Sequence, residues 1–303
     1  MKFTALLPIK SESQRIPNKN FKNLNNKPLF KWILEKLISI NEIDQIIINT
    51  DAVRKVKNKL GNKIDKKIFI KQRIDKLKGN EISMNKIIKD DLKYSKNNNI
   101  IMTHATNPLL TKGFIAKCIA KYKQSIKKKY DSLTTFDQFY GRFFDHNFRP
   151  LNHRADQLIQ TQDLKPLYFE NSNLYIFSKK SFIKKNNRIG NKPKFMITPK
   201  EISLDIDNKA DWKIAEKLIK KMNKFKILVT CPPMIAQIKK YRSLFNKHRM
   251  KFEFPKIKQT LDKKKLIKIL PDYDGWIAGD DETNYQILDT AKQGNLKAII
   301  KWG

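Results

Sequence analysis

The sequence predicts an α/β protein with a mostly parallel main sheet. Three observations carry this. Short apolar runs alternate with stretches of helical periodicity up to Phe136. An aromatic-rich, Asn- and Pro-rich excursion over 137–199 then breaks the rhythm, and a fresh α/β alternation begins at Lys226. Strands alternating with helices imply βαβ units joined by right-handed crossovers.

Taken in order, Lys2 to Ile9 is an apolar strand. Leu29, Trp32, Ile33, Leu37 and Ile40 recur at helical spacing, and Pro28 suits a first turn. The run QIIINTD, from Gln45, is continuously apolar, as in a strand covered on both faces. A lysine-rich helix leads to a third strand, KIFIK, and Ser83 to Tyr94 reads as helix. NIIMTHATNPLL is a strand running into a turn at Asn107–Pro108, Lys112 to Ile126 is helix, and YDSLTTF is strand. Within the excursion NLYIF is a strand, followed by a short helix after Ser181. ISLDID, from Ile202, reads as a short strand and Asp211 to Met222 as helix. Beyond it, KILVT, KFEF, DGWIAG and LKAIIKW read as strands, separated by helices over 235–244, 261–270 and 283–292. The restart of the pattern divides the chain into a domain over 1–224 and a segment over 225–303.

Composition narrows the function classes. The 303 residues are 40% hydrophobic, enough for a core. No stretch approaches the roughly 18 apolar residues of a membrane span, so no membrane partner is expected. Cys118 and Cys231 form no paired motif, which fits a reducing cytoplasm. The net charge of +35 invites a nucleic-acid reading. However, the cations are mostly lysines spread along both regions, not arginines and aromatics gathered on one element, so a specific nucleic-acid partner is not expected. The charge does favour anionic ligands.

Ligands of open α/β sheets bind beyond the carboxyl ends of the strands, and four clusters stand at such ends. The first, LLPIKSESQRIPNKN, contains no glycine but offers Ser11, Ser13, Lys10, Arg15 and Lys19. Hydroxyls and cations of this kind suit a polyphosphate, while a solvated basic loop is the plain alternative. The second holds Asp205 and Asp207, which on a strand share one face. Two carboxylates together in a basic protein suit Mg²⁺ completed by substrate phosphates; the alternative is that Asp207 caps the next helix and Asp205 pairs with a lysine. The third, THATNPL, offers His104, Thr106 and Asn107 to a base or ribose, or is a packed turn. The fourth contains Arg73 and Ser83, on a ligand or in a surface loop. Walker A, GxGxxG, HExxH and GxSxG patterns do not occur.

In this order, the clusters resemble the acylneuraminate cytidylyltransferases and their relatives acting on similar keto-acid sugars. IKSESQRIPNKN resembles the family's A-R-x-x-S-x-R-x-P-x-K-N through Ser13, Arg15, Pro17, Lys19 and Asn20. NKPLFKWILE is similar to its G-K-P-L helix start, with Asn26 for glycine, and NTDA to its S-T-D segment. HATNPLL sits where the family has Q-P-T-S-P-L, ENSNLYIF resembles E-N-G-A-x-Y, and LDIDNKADW resembles I-D-I-D-x-x-x-D-F. The likeness covers roughly residues 1–222. Departures are Lys10 for an arginine, His104 for a glutamine and Leu110 for an arginine.

The resemblance implies a nucleotidyltransferase-type, Rossmann-like fold and a homodimer formed through the excursion. It implies CMP transfer from CTP to the anomeric hydroxyl of a sialic-acid-type sugar, in the service of surface polysaccharide synthesis. Ketodeoxyoctonate and legionaminic- or pseudaminic-type sugars are the alternative acceptors. It gives catalytic roles to Lys10, Arg15, Lys19, Asp205 and Asp207, the last two as Mg²⁺ ligands. Nucleotide contacts fall to Ser11, Ser13, Asn20, Arg73, Ser83, His104 and Thr106. Residues 226–303 resemble the front of a D-isomer-specific 2-hydroxyacid dehydrogenase through KILVTCPPM, YDGWIAGDDETNYQILDTA and NLKAIIKWG. This implies a small, incomplete flavodoxin-like segment. That family's dinucleotide fingerprint and catalytic Arg, Glu and His do not occur here, so no hydride transfer is assigned. A non-catalytic or truncated dehydrogenase fusion is the reading from another class.

Overall fold

A computed structural model of the chain describes residues 1–79, 81–222, 225–248, 250–255 and 257–302. The chain forms two compact units, Met1–Leu218 and Ile219–Gly303. The boundary expected between 224 and 225 touches residue 224, which lies outside the described residues.

In chain order the first unit contains β1 (Phe3–Leu6), a small hairpin of β2 (Asn23–Leu24) and β3 (Lys27–Pro28), α1 (Leu29–Ile38) and β4 (Ile43–Thr50). It continues with α2 (Val53–Leu60), β5 (Ile68–Gln72), α3 (Met84–Asp91), β6 (Asn99–Met102) and α4 (Lys112–Ile126). The remainder is β7 (Ser132–Phe139), β8 (Leu167–Ser178), α5 (Lys179–Lys185), β9 (Pro193–Ile197) and α6 (Lys209–Met222), whose last turn belongs to the second unit. Among the described residues one seven-stranded sheet runs β5-β4-β1-β6-β8-β7-β9. The neighbours from β5 to β6 are parallel, β8 is antiparallel to both β6 and β7, and β9 pairs parallel with β7. The mostly parallel sheet expected from the sequence is present.

The reason is legible in the residues. Isoleucines fill β4, every one of them buried, because helices cover both faces of the sheet there. Leu6, Ile47, Ile100, Met102, Tyr175 and Phe177 form one side of the core together with Ile88 and Phe182. Each such side chain contributes about 1.5–3 kcal/mol by leaving water. Thr111 caps α4 by accepting from the Phe114 N–H, which fixes its start.

Register places the functional edge. Leu6 of β1 stands beside Ile47 of β4 and Met102 of β6, so β1 and β6 finish level while β4 runs on to Thr50, toward the same edge. Antiparallel pairing sets Tyr175 of β8 opposite Met102, which brings Glu170 to Asn173 beside that same edge. The loops after β1, β4, β5 and β6 therefore emerge side by side.

The second unit contains β10 (Phe225–Val229), α7 (Pro232–Lys247), β11 (Met250–Glu253), α8 (Lys263–Ile269), β12 (Gly275–Ala278), α9 (Tyr285–Gln293) and β13 (Ala298–Lys301). Its four-stranded sheet has the order β11-β10-β12-β13, with every pairing parallel. Buried Asp281 accepts from the Thr230 hydroxyl and from the Leu261 N–H, while the Trp276 indole N–H donates to Thr230 at 2.8 Å. This polar knot is satisfied from within. Among the described residues no helix is long and apolar enough to cross a membrane.

Candidate active site

The loop after β1 is held at both ends. Ile9 donates its N–H to Asn49 O at 2.9 Å, extending the β1–β4 pairing beyond the strand. The Ser11 N–H and hydroxyl both donate to the Asp51 carboxylate, at 2.7 and 2.9 Å, which pins the loop to the end of β4. Farther on, Asn20 Nδ2 donates to Lys10 O at 3.0 Å and closes the loop on itself. The return is possible because Asn18 adopts a left-handed conformation (φ 51°), which Asn tolerates better than most residues, ahead of a short 3₁₀ turn at Lys19–Phe21. Ile16 is buried and anchors the middle. The closed loop becomes the wall of a cavity of about 240 Å³, which Lys10, Ser13, Arg15, Lys19 and Asn20 line from one side. Arg73, His104 and Thr106 line it from the other.

Residues 203–207 correct the expectation of a strand at ISLDID. A 3₁₀ turn at Lys200–Ile202 gives way to irregular backbone. The physical reason lies in the hydrogen bonds. Ile206 N–H donates to Thr106 O at 2.9 Å, while the N–H groups of Asp207 and Asn208 both turn to the Asp211 carboxylate at 2.9 Å. Asn208 accepts from the N–H groups of Ala210 and Asp211 and so opens α6. The helix is therefore capped by Asn208, and the Asp207 carboxylate faces cations instead.

The two segments, nearly two hundred residues apart, meet. Arg15 Nη1 lies 3.2 Å from Asp207 Oδ2 and Lys19 Nζ 3.8 Å from Asp207 Oδ1. Lys19 Nζ also donates to Ile206 O at 2.6 Å. Asp205 accepts from Thr106, yet its Oδ1 is buried with no hydrogen-bond partner in the described structure. Burial pushes the Asp205 carboxyl up, with Thr106 opposing and Asp207 adding to the rise. Burial also pulls the Lys19 ammonium down, while Asp205 and Asp207 hold it up. Each group is thus short of neutralising partners, as a site awaiting charged ligands would be.

The other expected site residues divide. Arg73, buried beneath the cavity, donates from Nε to Asn49 Oδ1 at 2.7 Å. His104 forms part of the wall; burial pushes its imidazole down to about 4, with Arg188 and Lys19 adding to the effect, so the ring is neutral near pH 7. Ser11 lines a neighbouring cavity of about 220 Å³ together with Lys10, Ser13 and Arg73. Ser83 is not among the residues lining the main cavity: it is exposed and its hydroxyl caps α3 by accepting from the Asn85 N–H at 3.3 Å.

Sequence reading missed the supports. Asn107 Nδ2 donates to Asn173 Oδ1 at 2.6 Å, and Asn173 Nδ2 donates to Ser203 O at 3.2 Å. This ties the aspartate segment to β8. Arg188 sits 4.0 Å over the Tyr175 ring and 3.3 Å from Glu170, bringing an anchored cation near His104. Only the ENSNLY motif hinted at this layer.

Among the described residues no three or more His, Cys, Asp or Glu side chains gather as a self-contained metal cage. The arrangement offers two carboxylates, one with an orphaned oxygen, beside two cations, Arg15 and Lys19, that line the cavity. That donor set fits a hard divalent ion whose remaining ligands come from phosphates and water.

The profile of the family described as cytidylyltransferase matches residues 4–245. The chain is 24% identical over 220 residues to an N-acylneuraminate cytidylyltransferase of Streptococcus agalactiae, matching 70% of this chain and 52% of that protein. It is 24% identical over 230 residues to a pseudaminic acid cytidylyltransferase of Campylobacter jejuni, matching 73% of this chain and 97% of that one. The chain thus spans about half the length of the N-acylneuraminate relatives it matches and nearly all of the pseudaminic acid relative. In fold it is similar to a CMP:2-keto-3-deoxy-manno-octonic acid synthetase structure, with TM-score 0.52, 11% identity, and coverage of 73% of this chain and 100% of that one. It is also similar to a 4-diphosphocytidyl-2C-methyl-D-erythritol synthase of Anaerococcus prevotii, with TM-score 0.54, 13% identity, and coverage of 72% and 96%. Profile, relatives and fold concur over the unit that carries the cavity: the chain belongs to the cytidylyltransferase family.

Proposed function

We propose that the protein transfers CMP from CTP to the anomeric hydroxyl of a sialic-acid-type keto-acid sugar, releasing pyrophosphate. The observation that carries this is the meeting of Arg15 and Lys19 with the Asp205–Asp207 segment at the rim of one cavity. The hydroxyl oxygen attacks the α-phosphorus, the bond to the bridging oxygen of the β-phosphate breaks, and that oxygen leaves with the pyrophosphate. Such a reaction asks for positioning and charge neutralisation more than covalent help.

Lys10, Arg15 and Lys19 hold the phosphates and neutralise charge as it moves onto pyrophosphate. Arg15 is 65% exposed, so its pairing with Asp207 is worth little and yields readily to a phosphate. Ser13, Asn20, Arg73 and Thr106 orient the nucleotide, and neutral His104 offers it a hydrogen bond. Asp205 and Asp207 would hold Mg²⁺, which when bound supplies positive charge to the phosphate oxygens and the sugar oxygen. Two neighbouring carboxylates, one with a buried oxygen that lacks a partner, support that reading.

The second copy of a homodimer belongs on the excursion. Phe136, Tyr168, Phe195 and Ile197 line an apolar hollow of about 370 Å³, and Tyr168, Phe169 and Phe195 are exposed around it. Apolar surface of this kind on a highly charged protein is costly to leave in water. Residues 225–303 are an appended α/β module to which no chemistry is assigned.

The test is a thermal-shift comparison of CTP, UTP, ATP and GTP with Mg²⁺, followed by pyrophosphate release with sialic, pseudaminic and ketodeoxyoctonic acids. CTP alone should raise the melting temperature, by the equivalent of about 2.7 kcal/mol at a hundred times its Kd. Equal stabilisation by all four nucleotides, or by none, contradicts the assignment.

A further inference from the structure

Arg73 does not stand alone beneath the cavity. Behind it runs a line of side chains drawn from β4, β5 and α3 that the proposed chemistry does not use. Arg73 Nε donates to Asn49 Oδ1 at 2.7 Å and Nη2 donates to Asn49 O at 2.9 Å. Asn49 Nδ2 in turn donates to Asp91 Oδ1. Lys71 Nζ lies 3.5 Å from that same oxygen and also pairs with Asp90, which Lys93 meets from outside at 3.2 Å. Exposure is 2% for Arg73, 0% for Asn49, 1% for Asp91 and 5% for Lys71, so water cannot replace any link.

We infer that Asn49 and Asp91 are positioning residues for Arg73, a buried hydrogen-bonded line that aims its guanidinium at the nucleotide from behind the sheet. This rests on the reading of the cavity as a CTP site. The chemistry is directional. A guanidinium only donates and a carboxylate only accepts. An amide between them has a single satisfactory orientation, with its NH₂ toward Asp91 and its oxygen toward Arg73. Lys71 supplies the countercharge that lets a carboxylate remain ionised at such depth. Take the acceptor away and the Asn49 NH₂ loses its anchor, so only Arg73 Nε holds the amide in place and the side chain of Arg73 is left fixed chiefly by the Asn49 and Ile9 carbonyls.

A pH dependence follows. Burial pushes the Asp91 carboxyl up to about 6, against the pull of Asn49 and Lys71 and with Asp90 adding to the rise. The groups facing it are Asn49 from β4, Lys71 from β5, Asp90 from its own helix and Arg73 beyond Asn49. Below about pH 6 a protonated Asp91 is a weaker, neutral acceptor for the Asn49 NH₂, and the line that steadies Arg73 loosens.

The experiment is calorimetric titration of the full-length protein with CTP, on Asp91→Leu, Asp91→Asn, Arg73→Ala and the Asp91→Leu, Arg73→Ala double variant. Asp91→Leu should weaken CTP about tenfold when Arg73 is present and have no effect when Arg73 is alanine. Asp91→Asn keeps an acceptor without a titration. It should recover most of the affinity at about pH 8 and lose the additional weakening that the native protein shows between about pH 7 and pH 5. Comparing the two proteins cancels the titration of CTP itself. An equal loss from Asp91→Leu in both backgrounds, or no loss in either, overturns the positioning role. CTP affinity unchanged in Arg73→Ala removes the nucleotide contact and the positioning role together, a different result from the first. Should Asp91→Leu fail to fold, Asn49→Ala is read in the same two backgrounds with the same criteria.

Discussion

Replacing Asp205 and Asp207 together by alanine should abolish Mg²⁺-dependent pyrophosphate release from CTP and a keto-acid sugar. The expected loss is on the order of 10³-fold or more, the scale on which transition-state charge stabilisation operates. Both carboxylates stand where the loop after β1 returns, and one oxygen of Asp205 has no partner to satisfy it among the described residues. The double Asp205→Asn, Asp207→Asn variant separates charge from shape. Asparagine keeps the shape and an oxygen at each position, and Lys19 keeps its bond to Ile206 O, while the charge is lost. Equal inactivity in the two double variants, with circular dichroism melts of the asparagine form close to those of the native protein, would assign the loss to charge. Unchanged turnover in the alanine form would defeat the metal assignment.

Lys19→Met should flatten the rise of stability with pH that the native protein shows and lower turnover by about 10²-fold. Lys19 is the cation enclosed between Ile206 O and the two aspartates. Burial pulls its folded-state pKa below 10.5, so the unfolded chain holds the proton more tightly than the fold does. The sign follows from linkage: the native protein gains stability from this group as pH rises toward 10.5, and at pH 7 the buried charge carries a cost. Methionine fills the same space with no charge, and Arg15 remains 3.2 Å from Asp207 to keep that carboxylate paired. Differential scanning calorimetry between about pH 7 and pH 10 checks the first half, since the variant should show a shallower rise than the native protein. Steady-state kinetics check the second. Native-like turnover would remove Lys19 from the chemistry.

Much of this architecture could be read from the chain because its signals are local. The helix expected over Lys112 to Ile126 coincides with α4, where a threonine cap and a continuous apolar stripe act within one element. The seven-stranded sheet gained β9, which the sequence hid. PKFMI begins with proline and lysine and sits at the sheet edge, where an unpaired side tolerates both. ISLDID imitates a strand because its apolar and acidic residues alternate, but Asp211 takes the backbone N–H groups that a ladder would need. The clusters of the cavity rim were legible because each is a short motif. Their supports were not. Asn49 closes an apolar run and opens the NTDA motif, Asp91 lies in an ordinary helix, and they meet across 42 residues of chain. Nothing in either neighbourhood announces a partnership that only the stacking of β4 against α3 creates. Ser83 was legible as a hydroxyl at a strand-to-helix junction, and it caps α3.

The most direct measurement is a crystal structure with CTP and Mn²⁺ bound, with manganese located by its anomalous scattering. One manganese should appear between the Asp205 and Asp207 carboxylates, touching phosphate oxygens that also contact Arg15 or Lys19. Nucleotide density away from this rim, or a triphosphate bound there with no metal on either aspartate, would contradict it.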